Sequence, residues 1–234
     1  MSLESVNIAP ADAKFVLDNN QGWVALLRNS GKEADIVNAA RVSFGKFRTE
    51  MNERDITLLK FLIDEEHFAP LEHITMTFLV HCPLFVRGQW HRHRTASYNE
   101  ISRRYTEVDM ELYTPELYRI QSTDNKQASE DNEYIENNED AKNVMRAANE
   151  AALNVYNKLL EMGVCREQAR SILPQNMMTT FYCTMNLRNC LHFLGLRMDK
   201  HAQWEIRQYA NAIHDMLVEH YPNVMEAFDK GLIK

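Results

Sequence analysis

Residues His91–Tyr105, which read HRHRTASYNEISRRY, constrain the fold more than any other part of this chain of 234 residues. The stretch holds four Arg among His, Ser, Tyr, Asn and Glu residues, and it contains no Lys. Polar groups at this density rarely fill a core, because each buried one needs a partner. A solvated, salt-bridged surface is the less favoured interpretation, since surface charge usually comes as Lys and Glu at helical spacing. Guanidinium forks beside hydroxyls, an amide and a carboxylate suit a site that binds phosphates and polar heterocycles.

Composition excludes several classes of protein. A hydrophobic content of 45% supports a sizeable core in one domain, and a net charge of −7 gives no general attraction for a polyanion. No apolar run approaches the roughly 20 residues that span a bilayer, and the N-terminus lacks a signal-peptide pattern. Four Cys without CxxC spacing suit reduced thiols. We therefore expect a cytoplasmic protein that binds no membrane and forms a single domain over residues 1–234.

Hydrophobic periodicity predicts a helix-rich α+β fold. Strands are predicted at Gln21–Arg28, His73–Cys82 and Glu107–Tyr113. Helices are predicted at Glu33–Ser43, at Glu53–Glu66, from Leu84 onward, at Glu139–Met162 with a stop at Gly163, and at Arg166–Leu173, Thr179–Leu196 and His201–Tyr221. The acidic segment Ser122–Asn138 is interpreted as a mobile surface insertion.

Three clusters of residues are candidates for chemistry. On the helix from Leu84, residues Gln89, Arg92 and His93 fall at i, i+3 and i+4 and would share one face. In Asn186–Arg197, NLRNCLHFLGLR, the candidates Asn186, Arg188 and Arg197 lie within about three turns of helix. The third cluster, HFAPLEH at His67–His73, lies between a predicted helix and a predicted strand, where ligand groups often occur.

Other chemistries find little support. His91 and His93 would diverge on a helix, although on a strand they could share an ion, and no HExxH or CxxC spacing supports a metal site. Cys183 and Cys190 fall in apolar sequence, where a buried thiol is the default interpretation. The chain has no Walker or GxGxxG loop and only 7 Gly, so side chains would have to hold the phosphates of any nucleotide.

The sequence Arg92-His93-Arg94, followed by seven residues and Ser102, resembles the RHR-x7-S signature of flavin-dependent thymidylate synthases. Further blocks resemble that family in the same order, from about Ala39 to Phe228. They are ARVSF at Ala40–Phe44, PLEH at Pro70–His73, QWHRHR at Gln89–Arg94, ASYNEISRRY at Ala96–Tyr105, ARSILP at Ala169–Pro174, and NLRNCLHFLGLR leading into HAQWEIRQYA.

The resemblance implies a homotetramer with a mainly antiparallel sheet and active sites shared between subunits. It implies reductive methylation of dUMP to dTMP, with methylene-tetrahydrofolate as carbon donor, FAD as cofactor and NADPH as reductant. It places Ser43, His67, Arg92, His93, Arg94, Glu100, Asn186, Arg188 and His192 at FAD, with His67 also near the folate. It places Gln89, Trp90, His91, Arg92, Glu100, Ile101, Ser102, Arg103, Arg104, Arg170 and Arg197 at dUMP. Arg197 would be catalytic, since it resembles the arginine that favours ionisation of the uracil at N3.

Four features depart from the family pattern. Ala69 replaces a frequent Ser or Thr, Arg103 replaces a frequent Gly, and His91 replaces an aromatic or apolar residue. The segment 122–138 matches no family motif.

Two other interpretations compete with the synthase. One is a single-stranded nucleic-acid-binding module in which Tyr98 and Tyr105 stack bases, which the net acidic charge disfavours. The other is an inactive structural relative.

Overall fold

The computed structural model describes residues 8–108 and 110–231, which form a layer of strands covered by helices. The strands are β1 (Lys14–Phe15), β2 (Trp23–Asn29), β3 (Thr75–Pro83), β4 (Ser97–Glu100), β5 (Arg119–Gln121), β6 (Ser129–Tyr134) and β7 (Met178–Asn186). The helices are α1 (Glu33–Arg41), α2 (Glu53–Asp64), α3 (Leu84–Trp90), α4 (Asn138–Glu161), α5 (Arg166–Ala169), α6 (Leu187–Arg197), α7 (Trp204–His220) and α8 (Pro222–Asp229).

The main sheet has the order β1-β2-β3-β7-β4, and every pair of neighbouring strands in it is antiparallel. The central pair runs in register from Thr75 opposite Asn186 to Pro83 opposite Met178. A separate antiparallel hairpin joins β5 and β6. This arrangement confirms the predicted α+β class and the antiparallel sheet.

Trp90, the last residue of α3, is fully buried where three other elements meet. The centre of its ring lies 5.5 Å from that of Phe181 on β7, 4.7 Å from Phe193 on α6 and 5.8 Å from Tyr209 on α7. Tyr209 also donates a hydrogen bond of 2.7 Å to the backbone oxygen of His81 on β3. The aromatic contacts therefore fix α6 and α7 against the sheet and hold the end of α3 in place.

The predicted helix Thr179–Leu196 is wrong over its first half. Met178–Asn186 forms strand β7, and the helix begins only at Leu187. The strand lies between β3 and β4 and is buried over most of its length. Burial on both faces removes the alternation that identifies a half-exposed strand, so an apolar run of this kind resembles a buried helix. The side chain of Asn186 accepts a hydrogen bond of 2.9 Å from the backbone N–H of Asn189 and so caps α6.

Other boundaries also differ from prediction. The proposed strand Glu107–Tyr113 is wrong: over the described residues of that segment only Leu112 makes a β-bridge, to Met177. The polar segment 122–138 contains strand β6 and the first residue of α4, so it has regular structure. The predicted last helix, His201–Tyr221, stops before Pro222. Pro222 is the first residue of a further helix, α8, which the hydrophobic pattern did not predict. The predicted stop of α4 is confirmed at Gly163, whose φ of 86° is left-handed.

Candidate functional site

The Arg-rich stretch lies between helix α3 and strand β4, and its parts face different surroundings. Helix α3 ends at Trp90, and a turn carries the chain from His91 to Ala96. Arg92 therefore lies beyond the helix, and the prediction that it shares a helical face with Gln89 and His93 is wrong. Strand β4 then pairs with β7, with Ser97 opposite Thr184 and Glu100 opposite Phe181.

A cavity of about 460 Å³ opens where β4 ends, a volume within the usual range for small-molecule sites. We call it the β4 cavity. It brings together five residues that the resemblance places at dUMP or FAD, from β4, from the turn after it and from the short helix after α5. These residues are Glu100, Ile101, Ser102, Arg103 and Arg170.

Glu100 is fixed at the edge of the β4 cavity by two donors. Arg87 Nε donates to Glu100 Oε1 at 3.0 Å, and Thr179 Oγ1 donates to the same oxygen at 2.7 Å. The ion pair and the hydroxyl together orient the carboxylate. Sequence reasoning missed Arg87, because its spacing on α3 does not distinguish it from an ordinary surface arginine.

Two neighbouring arginines of the stretch have opposite surroundings. Arg103 is buried, and its guanidinium donates to the backbone oxygens of Val108 at 2.5 Å and Met178 at 3.3 Å. Arg104 is exposed and forms an ion pair of 2.7 Å with Glu167. Arg103, the departure from a frequent Gly, thus ties the turn after β4 to the start of β7.

A second cluster forms at the C-terminal end of α6, and we call it the Arg197 cluster: Gln89, His93, His192 and Arg197. Arg197 Nε donates to His93 Nε2 at 3.0 Å, and Arg197 Nη2 donates to the backbone oxygen of Gln89 at 3.1 Å. The His93 ring lies 6.1 Å from that of His192. Three of the residues assigned to FAD or dUMP thus surround the predicted catalytic arginine.

Burial controls protonation in this cluster. Burial, the positive Arg197 and the nearby His192 together lower the pKa of His93 from 6.5 to about 4, with burial the largest cause. His93 is therefore neutral near pH 7, and its Nε2, which accepts from Arg197, carries no proton. Burial also lowers the pKa of Arg197 from its ordinary value. A guanidinium nonetheless stays charged at neutral pH.

A third cluster lies at the opposite end of α6. Arg188 forms an ion pair of 2.5 Å with Glu72 and lies over the ring of Phe68, 5.5 Å from its centre. Because Arg188 and Arg197 are nine residues apart on one helix, they are separated by about 13 Å along its axis. Within one chain, the α6 arginines therefore serve two separate places.

His67 and Ser43, both assigned to FAD, are exposed on the described surface. The His67 ring lies edge-on to Phe61, with ring centres 6.2 Å apart. Ser43 lies in a 3-10 turn, Val42–Phe44, and Phe44 beside it is 77% exposed.

Several cations near these clusters have no charged partner. Over the described residues, the side chains of Arg92, Arg94 and Arg170 form no hydrogen bond or ion pair, and all three are exposed. Most other arginines of the stretch and of α6 are paired or bonded to backbone. In an acidic chain of net charge −7, unpaired guanidinium groups in this region are available to anionic ligands.

Two residues assigned to dUMP by resemblance are used in packing. Trp90 is fully buried as a whole residue, so it serves the core. The His91 ring lies 4.2 Å from Tyr98 and 5.0 Å from Phe181, so it takes the aromatic role of the residue that it replaces. The hydroxyl of Tyr98 donates to the backbone oxygen of His93 at 2.9 Å. Held in this way, Tyr98 is poorly placed to stack bases as the nucleic-acid-binding interpretation requires.

The described residues hold no group of three His, Cys, Asp or Glu side chains arranged to bind a metal ion. None of their helices combines the length and the apolar run that crossing a membrane requires. Burial raises the pKa of Cys82, Cys183 and Cys190, which disfavours their thiolates as nucleophiles.

The chain is similar in sequence to several flavin-dependent thymidylate synthases. A flavin-dependent thymidylate synthase of Thermus thermophilus is 44% identical over 219 residues, which cover 94% of this chain and 79% of the relative. A flavin-dependent thymidylate synthase of Thermosipho melanesiensis is 43% identical over 215 residues, covering 92% and 93%.

A solved structure has the same fold. The crystal structure of the UMP/dUMP methylase PolB from Streptomyces cacaoi, bound with 5-Br dUMP, superposes with a TM-score of 0.81 at 31% identity, covering 88% of this chain and 94% of that one. Residues 25–223 match the family model described as thymidylate synthase complementing protein. Over most of its length, the chain is similar in sequence to flavin-dependent thymidylate synthases. It therefore belongs to the family described as thymidylate synthase complementing protein.

Proposed function

We propose that this protein converts dUMP to dTMP by reductive methylation, as a flavin-dependent thymidylate synthase. The names of its relatives and of the solved dUMP methylase support the reaction. The observation that carries the proposal in this chain is the β4 cavity, where Ser102 and the unpaired Arg170 lie beside a fixed carboxylate, Glu100. This set suits a monophosphate attached to a polar ring.

In the proposed complex, Ser102 and Arg170 bind the phosphate of dUMP. Arg104 would have to leave Glu167 to join them, which costs little because exposed ion pairs contribute about 0–1 kcal/mol. Arg103 acts indirectly, by holding the turn that carries Ser102. Arg197 lies against the uracil and stabilises negative charge as it develops on the ring, a form of electrostatic preorganisation.

The described residues fit a flavin dinucleotide in the chemistry of their donors. Arg92 and Arg94 are exposed and unpaired, as the charges of a diphosphate require where no glycine-rich loop occurs. We propose that they bind FAD together with Ser43, His67, His93, Glu100, Asn186, Arg188 and His192. Bound FAD supplies the redox chemistry, and the protein binds and orients the reactants. NADPH and methylene-tetrahydrofolate are the proposed co-substrates, with His67 near the folate.

A homotetramer with shared sites is part of the proposal. The two ends of α6 carry Arg188, assigned to FAD, and Arg197, assigned to dUMP, to places about 13 Å apart along the helix axis, which suits centres completed by a neighbouring copy. The exposed Val42, Phe44 and Phe47 flank Ser43, at 72%, 77% and 74% exposure. Apolar side chains of this size beside a site residue suit contact with a neighbouring copy.

The test is a reconstitution. Purified protein is mixed with FAD, dUMP, methylene-tetrahydrofolate and NADPH, and dTMP is measured by mass spectrometry, with each component omitted in turn. The proposal requires dTMP only in the complete mixture and a flavin absorption spectrum that changes when dUMP is added. Protein that binds no flavin, or that forms no dTMP in the complete mixture, would refute the proposal.

A further inference from the structure

The guanidinium of Arg197 is held by two acceptors that carry no charge. One is the imidazole Nε2 of His93 at 3.0 Å, and the other is the backbone oxygen of Gln89 at 3.1 Å. No carboxylate among the described residues lies within ion-pair distance of Arg197. Its remaining N–H groups stay available to a ligand.

Other arginines near the proposed sites are held differently. Arg87 contacts Glu100 and Arg188 contacts Glu72, each through a carboxylate. A contacting carboxylate offsets much of the charge that a guanidinium presents to a ligand. A neutral acceptor orients the fork of N–H groups without this loss, so Arg197 differs from these two in the charge that it can present.

His93 is well placed to act as a fixed acceptor. It is only 9% exposed, and its ring lies 4.9 Å from that of Phe193. Its backbone is held at both polar atoms: the N–H donates to the oxygen of Trp90 at 3.0 Å, and the carbonyl accepts from Tyr98 at 2.9 Å. The titratable groups that face the ring are Arg197 and His192, and neither favours a charged imidazole.

We propose that His93 is a positioning residue for Arg197: its neutral imidazole, with the proton on Nδ1, fixes the guanidinium against the substrate ring and leaves its charge unneutralised. This inference rests on the proposed function and adds to the flavin contact that the resemblance gives His93. The link is the hydrogen bond between Arg197 Nε and His93 Nε2.

A matched pair of substitutions separates the acceptor from the bulk of the ring. His93→Gln places an amide oxygen at a similar reach, whereas His93→Leu keeps volume and removes the acceptor. With saturating FAD, we expect His93→Leu to lower kcat/KM for dUMP by about 10²-fold, the loss typical of a misplaced catalytic group, and His93→Gln to recover most of it. Equal losses in both variants, or a loss confined to flavin affinity, would overturn the proposal.

A double-mutant cycle tests whether His93 acts through Arg197. If it does, adding His93→Leu to Arg197→Lys should lower kcat/KM only slightly further, because the group to be positioned is already gone. Losses that multiply would show that His93 acts independently, and would count against the proposal. Thermal unfolding of each variant verifies that it is folded.

A spectroscopic measurement keeps this inference separate from the reaction itself. In ¹⁵N-histidine spectra of the purified wild type near pH 7, Nε2 of His93 should be unprotonated and Nδ1 protonated, and Arg197→Leu should shift the Nε2 resonance. A proton on Nε2 would overturn the positioning role even if dTMP is formed. Conversely, wild type that forms no dTMP would refute the proposed function and leave the His93–Arg197 hydrogen bond to be judged by these spectra.

Discussion

Arg87 on α3 and Glu100 on β4 form an ion pair of 3.0 Å that joins the two elements flanking the turn from His91 to Ala96. The side chains are 35% and 21% exposed, so solvent screens the pair and its net contribution to stability should be small. Its effect on geometry is larger, because Arg87 Nε and Thr179 Oγ1 share one oxygen of Glu100.

Replacing Arg87 by Leu should therefore affect binding more than folding. We expect the free energy of unfolding to fall by less than about 1 kcal/mol, while the affinity for dUMP falls by several-fold because Glu100 loses its orientation. Urea denaturation and dUMP titration measure the two effects. Arg146→Leu, an exposed substitution on α4, is the control, and equal effects of the two variants on dUMP affinity would contradict the assignment.

Arg103 and Arg104 are adjacent but should differ in their importance for folding. Arg103→Leu leaves the backbone oxygens of Val108 and Met178 without this donor, and we expect a loss of about 2 kcal/mol in the free energy of unfolding. Arg104→Leu removes the exposed pair with Glu167 and a contact of 5.9 Å with the Tyr105 ring, and we expect a loss below about 1 kcal/mol. Chemical denaturation of both variants provides the comparison, and the opposite ranking would show that Arg103 has no structural role.

Ser102→Ala should weaken nucleotide binding more than cofactor binding. Ser102 lines the β4 cavity, and its hydroxyl is assigned to dUMP. The loss of one hydrogen bond corresponds to about 1 kcal/mol, or roughly fivefold in affinity. Parallel titrations with dUMP and with FAD measure the two affinities, and a larger loss for FAD would mean that the residue is misassigned.

Arg197→Lys should preserve the fold and reduce turnover. A Lys keeps a positive charge but cannot reproduce the planar fork that engages both His93 and the Gln89 carbonyl. We expect kcat for dTMP formation to fall by about 10²-fold, with little change in thermal unfolding. Full activity in this variant would refute the catalytic role of Arg197.

Acid should destabilise the wild type through His93. Its pKa is lowered from 6.5 to about 4 in the folded chain, so between these values the unfolded chain binds a proton that the folded chain does not. Stability therefore falls as pH falls through this window, by at most about 1.4 kcal/mol per unit of pKa difference. His93→Gln lacks the titrating group. In urea denaturation, its free energy of unfolding should therefore rise relative to that of the wild type as the pH falls from about 7 to about 5. Parallel pH dependence in the two proteins would exclude this contribution.

The parts of the fold that local pattern determines were predictable from sequence. Helices α2 and α4 carry regular apolar stripes, and their predicted ends lie within two residues of the observed ones. Strand β7 was missed because its identity depends on long-range pairing with β3 and β4, which no local period reveals. The same pairing creates the β4 cavity, so the partnership of Arg87 with Glu100 could not be inferred from spacing on α3.

Helix α6 divides its functional side chains between its two termini, with Arg188 beside Glu72 at one and Arg197 beside His93 at the other. Under the proposed assembly, a lone copy of the chain therefore holds two incomplete centres. Damage to Arg188 in one copy and to Arg197 in another would then spare those centres that take Arg197 from the first copy and Arg188 from the second. Mixed oligomers of two inactive variants would thus regain part of the activity that neither variant has alone.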